Sequence, residues 1–192
     1  MKIIIFRHEK RDINNCSFMS PLLEEGYKNA ENLYQKIDKI KERLNITKIN
    51  RIYSSPFLRA IQTIQPYSNL LEIPICLEEG LREWVDLKDR KIDEPKIVFH
   101  EKIPKEFKSL FNIEPNYFSF TSVDNIPTNE SFSELFYRVS TLLLDLIFYH
   151  HTCKPLSYHN YEIKNDTENK EDVILIVAHQ SIVNVLLQCM GD

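Results

Sequence analysis

Two histidines in this 192-residue chain each follow a short apolar run. Ile3-Ile4-Ile5-Phe6 leads into Arg7-His8, and Val173 to Ala178 leads into His179. Continuous apolar runs of this length, rich in β-branched residues, predict buried strands of a parallel sheet. In open α/β sheets the ligand crevice lies at the carboxyl ends of such strands. If the two strands are neighbours, both imidazoles reach one crevice. Arg11 follows Arg7 by four residues, and Arg59 falls within one turn of a helix start at Ser54-Ser55-Pro56. Guanidinium groups bind phosphate oxygens through paired hydrogen bonds, and a helix N-terminus attracts anions. An imidazole beside fixed positive charge is a nucleophile suited to phosphorus. The three glycines, Gly26, Gly80 and Gly191, form no glycine-rich cradle, so an anion site must be built from side chains.

The elements that would position these residues follow from the patterning. Ser20 as N-cap, Pro21 at the first helical position and Glu24-Glu25 predict a helix start. Tyr27, Ala30, Leu33, Tyr34, Ile37 and Ile40 continue it as one amphipathic helix to about Leu44. A second strand runs from Ile49 to Tyr53, and the helix after Pro56 continues past Pro66 only with a break. A third strand is expected at Ile73–Leu77, ahead of Glu78 to Trp84. Residues 86–128 carry four prolines and many aromatics, which predicts an irregular folded excursion whose aromatics are mostly core. A helix runs from Glu130 to about His150, a loose polar loop covers 151–172, and a last helix opens at Ser181. The expected fold class is α/β, a three-layer sandwich with a mostly parallel central sheet and helices on both faces. Residues 1–192 are read as one domain.

Bulk properties narrow the function classes. Hydrophobic residues make up 43% and charged residues 27%, the profile of a soluble globular chain. A net charge of −4 argues against a nucleic-acid partner. No apolar run approaches the roughly 20 residues that cross a bilayer, so no membrane partner is expected. Cys16, Cys76, Cys153 and Cys189 are scattered without a CxxC pair, which suits reduced thiols and a cytoplasmic location. His100, His150, His151 and His159 lack tidy ligand spacing with acids or thiols and are expected to be exposed loop residues, with no metal and no cofactor.

Six segments, in order and spanning nearly the whole chain, resemble the histidine phosphatase superfamily, whose fold is phosphoglycerate mutase-like. They are FRHEKRD at 6–12, SPLLEEG at 20–26, YSSPFLRAIQT at 53–63, EEGLREW at 78–84, NES at 129–131 and ILIVAHQS at 174–181. The RHxxR spacing, EEGLREW and LFNIEPNY at 110–117 look most like the eukaryotic branch. That branch includes the phosphatase domains of the suppressors of T-cell receptor signalling and an ecdysteroid-phosphate phosphatase.

The resemblance implies a metal-independent phosphomonoester hydrolase. His8 would attack phosphorus and carry the phosphoryl group as phosphohistidine. Arg7, Arg11, Arg59 and His179 would hold its oxygens, and Glu83 would protonate the leaving oxygen and then activate water. His8 then needs a fixed tautomer and a pKa lowered by nearby positive charge, whereas Glu83 needs a raised pKa, with Leu81 and Trp84 as its apolar wall. Glu130 and Ser131 either support the phosphate pocket or simply start a helix.

The chain departs from the family pattern at Glu9 and Gln180, where relatives carry glycine. Glu9 is expected to point away and pair with Lys10 or another base. The two departures suggest an alternative, a non-catalytic phosphoryl-binding or scaffold domain. A phosphoglycerate-type mutase is disfavoured, because the stretch after Glu83 lacks the tyrosine-glycine segment that holds the substrate carboxylate. The expected substrate is a small-molecule or phosphoprotein phosphomonoester. Aromatics of the excursion favour a bulky apolar leaving group, while Lys88, Arg90 and Lys91 would suit a second anion. A homodimer is compatible with this reading.

Overall fold

The computed structural model describes residues 1–15, 17–84, 104, 109–157, 160–163 and 172–191. Cys16, Phe99, His100, Phe107, His159, Lys88, Arg90 and Lys91 lie outside them, as does most of 86–108. Four strands form one parallel sheet in the order β1-β6-β2-β3: β1 (Lys2–Arg7), β2 (Arg51–Ser54), β3 (Ile75–Leu77) and β6 (Val173–Ala178). The two histidine-bearing strands are therefore neighbours, with Arg7 registered opposite Ala178. The ladder continues past the strand ends, since His8 N–H donates to Ala178 O at 2.9 Å and Ser55 N–H to Val177 O at 2.9 Å. His8, Ser55 and His179 thus leave the sheet at one level, at its carboxyl edge.

Strand alternation sends side chains to two cores. Ile4, Ile52, Leu175 and Val177 pack under α2 (Leu33–Arg43) and α3 (Leu58–Leu71), with Ala30 of α1 (Glu24–Glu31) also buried on this side. Tyr53, Ile174, Ile176 and Ala178 face α4 (Phe132–Thr152) and α5 (Gln180–Met190). All six residues of β6 are buried, as expected of a parallel strand covered on both faces. Helices on both faces make three layers. Among the described residues no helix is long and apolar enough to cross a membrane.

Five expectations are corrected. Ser20 does not cap a helix: Leu22 forms an antiparallel bridge with Arg11 and Leu23 N–H donates to Lys10 O, so the chain stays extended until Glu24. The single helix to Leu44 divides at Asn32, whose side-chain amide donates to Lys28 O and competes with the helical ladder. Pro66 does not break α3, because Ile61, Ile64 and Tyr67 are buried on both sides of it and hold the helix continuous. The loop expected over 151–172 contains an antiparallel hairpin, β4 (Cys153–Ser157) with β5 (Asn160–Ile163). Among the excursion's described aromatics, Phe118 is 70% and Phe120 37% exposed, so the expected apolar core is only partly built from them.

Candidate active site

His8 is buried, with its Nδ1 2.7 Å from Glu9 O. A carbonyl only accepts, so Nδ1 carries the proton and Nε2 keeps the lone pair. Burial first, then the His179 charge, lower the His8 pKa to about 3; the Glu9 O hydrogen bond opposes them, and the Arg59 and Glu83 charges follow with opposite signs. The result is a neutral imidazole in a single tautomer. The Glu9 backbone is itself fixed, because its N–H donates to Thr63 Oγ1 at 2.9 Å. Its side chain is directed away to Asn29 Nδ2 (3.1 Å) and Lys36 Nζ (3.2 Å), while Lys10 pairs with Glu25. The base that takes Glu9 is therefore Lys36. Gly26 lets α1 approach this segment: a Cβ there would lie 2.3 Å from Lys10 O.

His179, fully buried at the N-cap of α5, faces His8 edge-on with ring centroids 5.2 Å apart. Its Nε2 lies 2.8 Å from Ser55 Oγ, and its Nδ1 3.2 Å from Glu83 Oε2 and 3.3 Å from an Arg59 terminal nitrogen. Burial lowers its pKa, with the Glu83 carboxylate opposing. Arg59 is also fully buried, 3.6 Å from Glu83, donating to Ser17 O at 3.1 Å and lying 4.6 Å from the Phe57 ring centroid. The Phe57 ring packs against His179 as well, at 4.9 Å. Phe57, Ser55 and Thr63 hold the site residues in place, yet nothing in their residue types alone distinguishes them from ordinary core positions.

Glu83 is the carboxylate that reaches the site. It accepts from Ser181 Oγ at 2.7 Å. Its two neighbours in the motif are occupied elsewhere: Glu78 accepts from Tyr117, Ser119, Phe120 N and Thr121 N, and Glu79 pairs with the buried Arg82. The expectation of a raised Glu83 pKa is not met. Burial pushes it up, but His179, the Ser181 hydroxyl and Arg59 together pull it below the usual carboxylate range. Leu81 is buried in the core, and the Trp84 indole donates to Glu130 O at 2.8 Å.

The remaining arginines lie at the margin. Arg7 is exposed and donates to Gln180 Oε1 at 3.3 Å, while Gln180 Nε2 donates to Asn184 at 2.7 Å. Gln180 is thereby directed along α5. Arg11 ties down its own loop through Asp12 O and Asn15 O, and its charge acts on His179. His150 is not an exposed loop residue: it is buried on α4, 3.0 Å from the Tyr53 hydroxyl and 3.1 Å from Asp172. His151 is exposed.

Ligand atoms of His8, Glu83 and His179 lie within 4.8 Å of one another, a spacing a metal could use. The buried Arg59 guanidinium, within 3.6 Å of two of them, sets positive charge at that point. Such a field suits an anion. A cavity of about 510 Å³ lies beyond the ends of β2 and β3, lined by Pro56, Leu77, Glu79, Tyr117, Phe118 and Ser119 and by none of His8, Arg59, Glu83 and His179.

Comparison with known proteins agrees with the geometry. The chain aligns with the ecdysone phosphate phosphatase of Bombix mori at 18% identity and TM-score 0.61, covering 100% of this chain and 80% of that one. It aligns with a phosphoserine phosphatase of Entamoeba histolytica at 22% identity and TM-score 0.53, covering 98% and 78%. Both likenesses are of fold. The 55 kDa subunit of transcription factor tau from Saccharomyces cerevisiae is 33% identical over 94 residues, which are 49% of this chain and 20% of the yeast subunit. The family model of the histidine phosphatase superfamily, branch 1, matches residues 3–191, and the chain belongs to that superfamily.

Proposed function

We propose that the protein is a metal-independent phosphomonoester hydrolase that works through a phosphohistidine on His8. The observation that carries this reading is the His8 tautomer: Nδ1–H is committed to Glu9 O, leaving a neutral Nε2 beside the buried Arg59. Nε2 attacks phosphorus, the bond to the leaving oxygen breaks, and Arg59, Arg7, Arg11 and His179 stabilise the equatorial oxygens. Glu83 donates a proton to the leaving oxygen, then takes one from the water that hydrolyses the phosphohistidine.

The low pKa of Glu83 in the free site is compatible with this role. It is the carboxylate on which Arg59, His179 and Ser181 converge. An arriving phosphate dianion draws off that positive charge and adds like charge nearby, and both effects raise the Glu83 pKa. Protonation of the acid is thus coupled to substrate binding.

The likeness to a transcription-factor subunit favours a second reading, a domain that binds phosphoryl groups within a larger assembly without turning them over. Glu9 and Gln180, which first suggested it, both turn to partners of their own. Turnover of p-nitrophenyl phosphate with and without EDTA separates the two. Hydrolysis that survives EDTA and falls on the order of 10⁴-fold in His8→Ala supports the hydrolase. No turnover of several phosphomonoesters from pH 4 to 8 supports the binding domain. Isomerisation of 3- to 2-phosphoglycerate would instead indicate a mutase.

A further inference from the structure

The loop that presents Glu83 is clamped on both sides by one buried ion pair, Arg138 of α4 with Glu130, two residues ahead of that helix. Arg138 Nε and one terminal nitrogen donate to the two carboxylate oxygens of Glu130, both at 2.6 Å. The other terminal nitrogen donates to Gly80 O at 2.6 Å and to Arg82 O at 3.3 Å. Arg82 O belongs to the peptide immediately before Glu83. On the far side, the Trp84 indole donates to Glu130 O at 2.8 Å. Arg138 and Glu130 have side-chain exposures of 6% and 2%. Gly80 completes the fit, since a Cβ there would lie 2.5 Å from Thr121 Oγ1 and 2.9 Å from Leu142 Cδ2.

We propose that Arg138 and Glu130 are positioning residues that set the place of the Glu83 carboxylate through the backbone on either side of it. Because Glu130 neutralises Arg138 at short range, the pair acts by geometry and adds little net field at the site. The planar fork of Arg138 matters more than its charge: it spans a carboxylate and two carbonyls at once, which an ammonium cannot reproduce. The NES segment is thus more than a helix start, with Ser131 and Glu134 serving that end through their mutual hydrogen bonds. The inference rests on the hydrolase reading, in which Glu83 is the proton donor.

Leaving-group dependence tests it. A displaced proton donor penalises a poor leaving group, such as the alkoxide of glycerol 2-phosphate, far more than p-nitrophenolate, which departs without help. Arg138→Lys should lower kcat/KM for glycerol 2-phosphate about 100-fold and for p-nitrophenyl phosphate less than about 10-fold, with little change in KM. Glu83→Gln should show the same selectivity. Equal losses on both substrates in Arg138→Lys would mean a general loss of folded enzyme and would overturn the proposal. If Glu83→Gln itself shows no selectivity, the acid assignment fails, and with it this inference.

A second measurement does not depend on activity. Trp84 is the single tryptophan, so its fluorescence reports the clamp directly. Arg138→Lys, and the charge-free pair Glu130→Gln with Arg138→Gln, should shift its emission to the red and raise acrylamide quenching while far-UV circular dichroism is retained. Unchanged emission in folded variants would contradict the clamp. Loss of fold in both would show an ion pair that serves stability, which also contradicts a role in positioning.

Discussion

Burial and neighbouring positive charge hold the His8 pKa at about 3, so the imidazole stays neutral in the folded chain where it would be protonated in the unfolded one. The unfolded state therefore takes up a proton below about pH 6.5 that the folded state does not. Stability from this source is intact above that pH and falls as pH drops toward 3, by roughly 5 kcal/mol at full extent. His179 is shifted in the same direction, and the depressed Glu83 adds its own loss only below the ordinary carboxylate range. Between pH 4.5 and 6.5, His8→Asn should flatten the decline of the urea midpoint relative to the parent chain; an unchanged slope would place the effect elsewhere. Arg59 belongs to the same scale. If Arg59 holds the phosphoryl oxygens as proposed, Arg59→Ala should cost about 10²–10³-fold in kcat/KM, read from steady-state rates, because it removes preorganised charge there. Glu9→Gly should change the rate only about threefold or less, since the carboxylate already faces Asn29 and Lys36.

At the scale of elements, the apolar runs Ile3–Phe6 and Val173–Ala178 made both histidine-bearing strands legible, because parallel strands buried on two faces need no polar alternation. Their adjacency could be posed from sequence only as a condition, since pairing is a tertiary property. Ser20-Pro21 has the residue types of a helix start, yet α1 begins only at Glu24, because the Arg11–Leu22 bridge, a contact eleven residues apart, holds the chain extended. Around Pro66, likewise, the burial of Ile61, Ile64 and Tyr67 outweighs the local cost of the ring. The partners of the site were the least legible. Thr63, Ser55, Phe57 and Arg138 act through contacts between 54 and 124 residues apart or through packing, which spacing along the chain does not encode. Gly80→Ala tests the element scale directly. Overpacking against Thr121 and Leu142 should destabilise the fold by about 1–3 kcal/mol in a denaturant titration.

Across the whole molecule, four parallel strands end at one level and bring His8, the buried Arg59 and His179 to one edge, while α4 holds the loop that brings the Glu83 carboxylate. An anion that binds this edge binds only the folded state. Vanadate at about 100 times its dissociation constant should therefore stabilise the protein by about 2.7 kcal/mol, several degrees in Tm, and EDTA should not reverse it. The central claim is the covalent step, and rapid acid-free quenching with radiolabelled phosphomonoester tests it most directly. The account predicts stoichiometric, acid-labile and base-stable phosphate that maps to His8 and disappears in His8→Ala. Label on another residue, or turnover without any label during the steady state of a substrate whose dephosphorylation is slow, would contradict it.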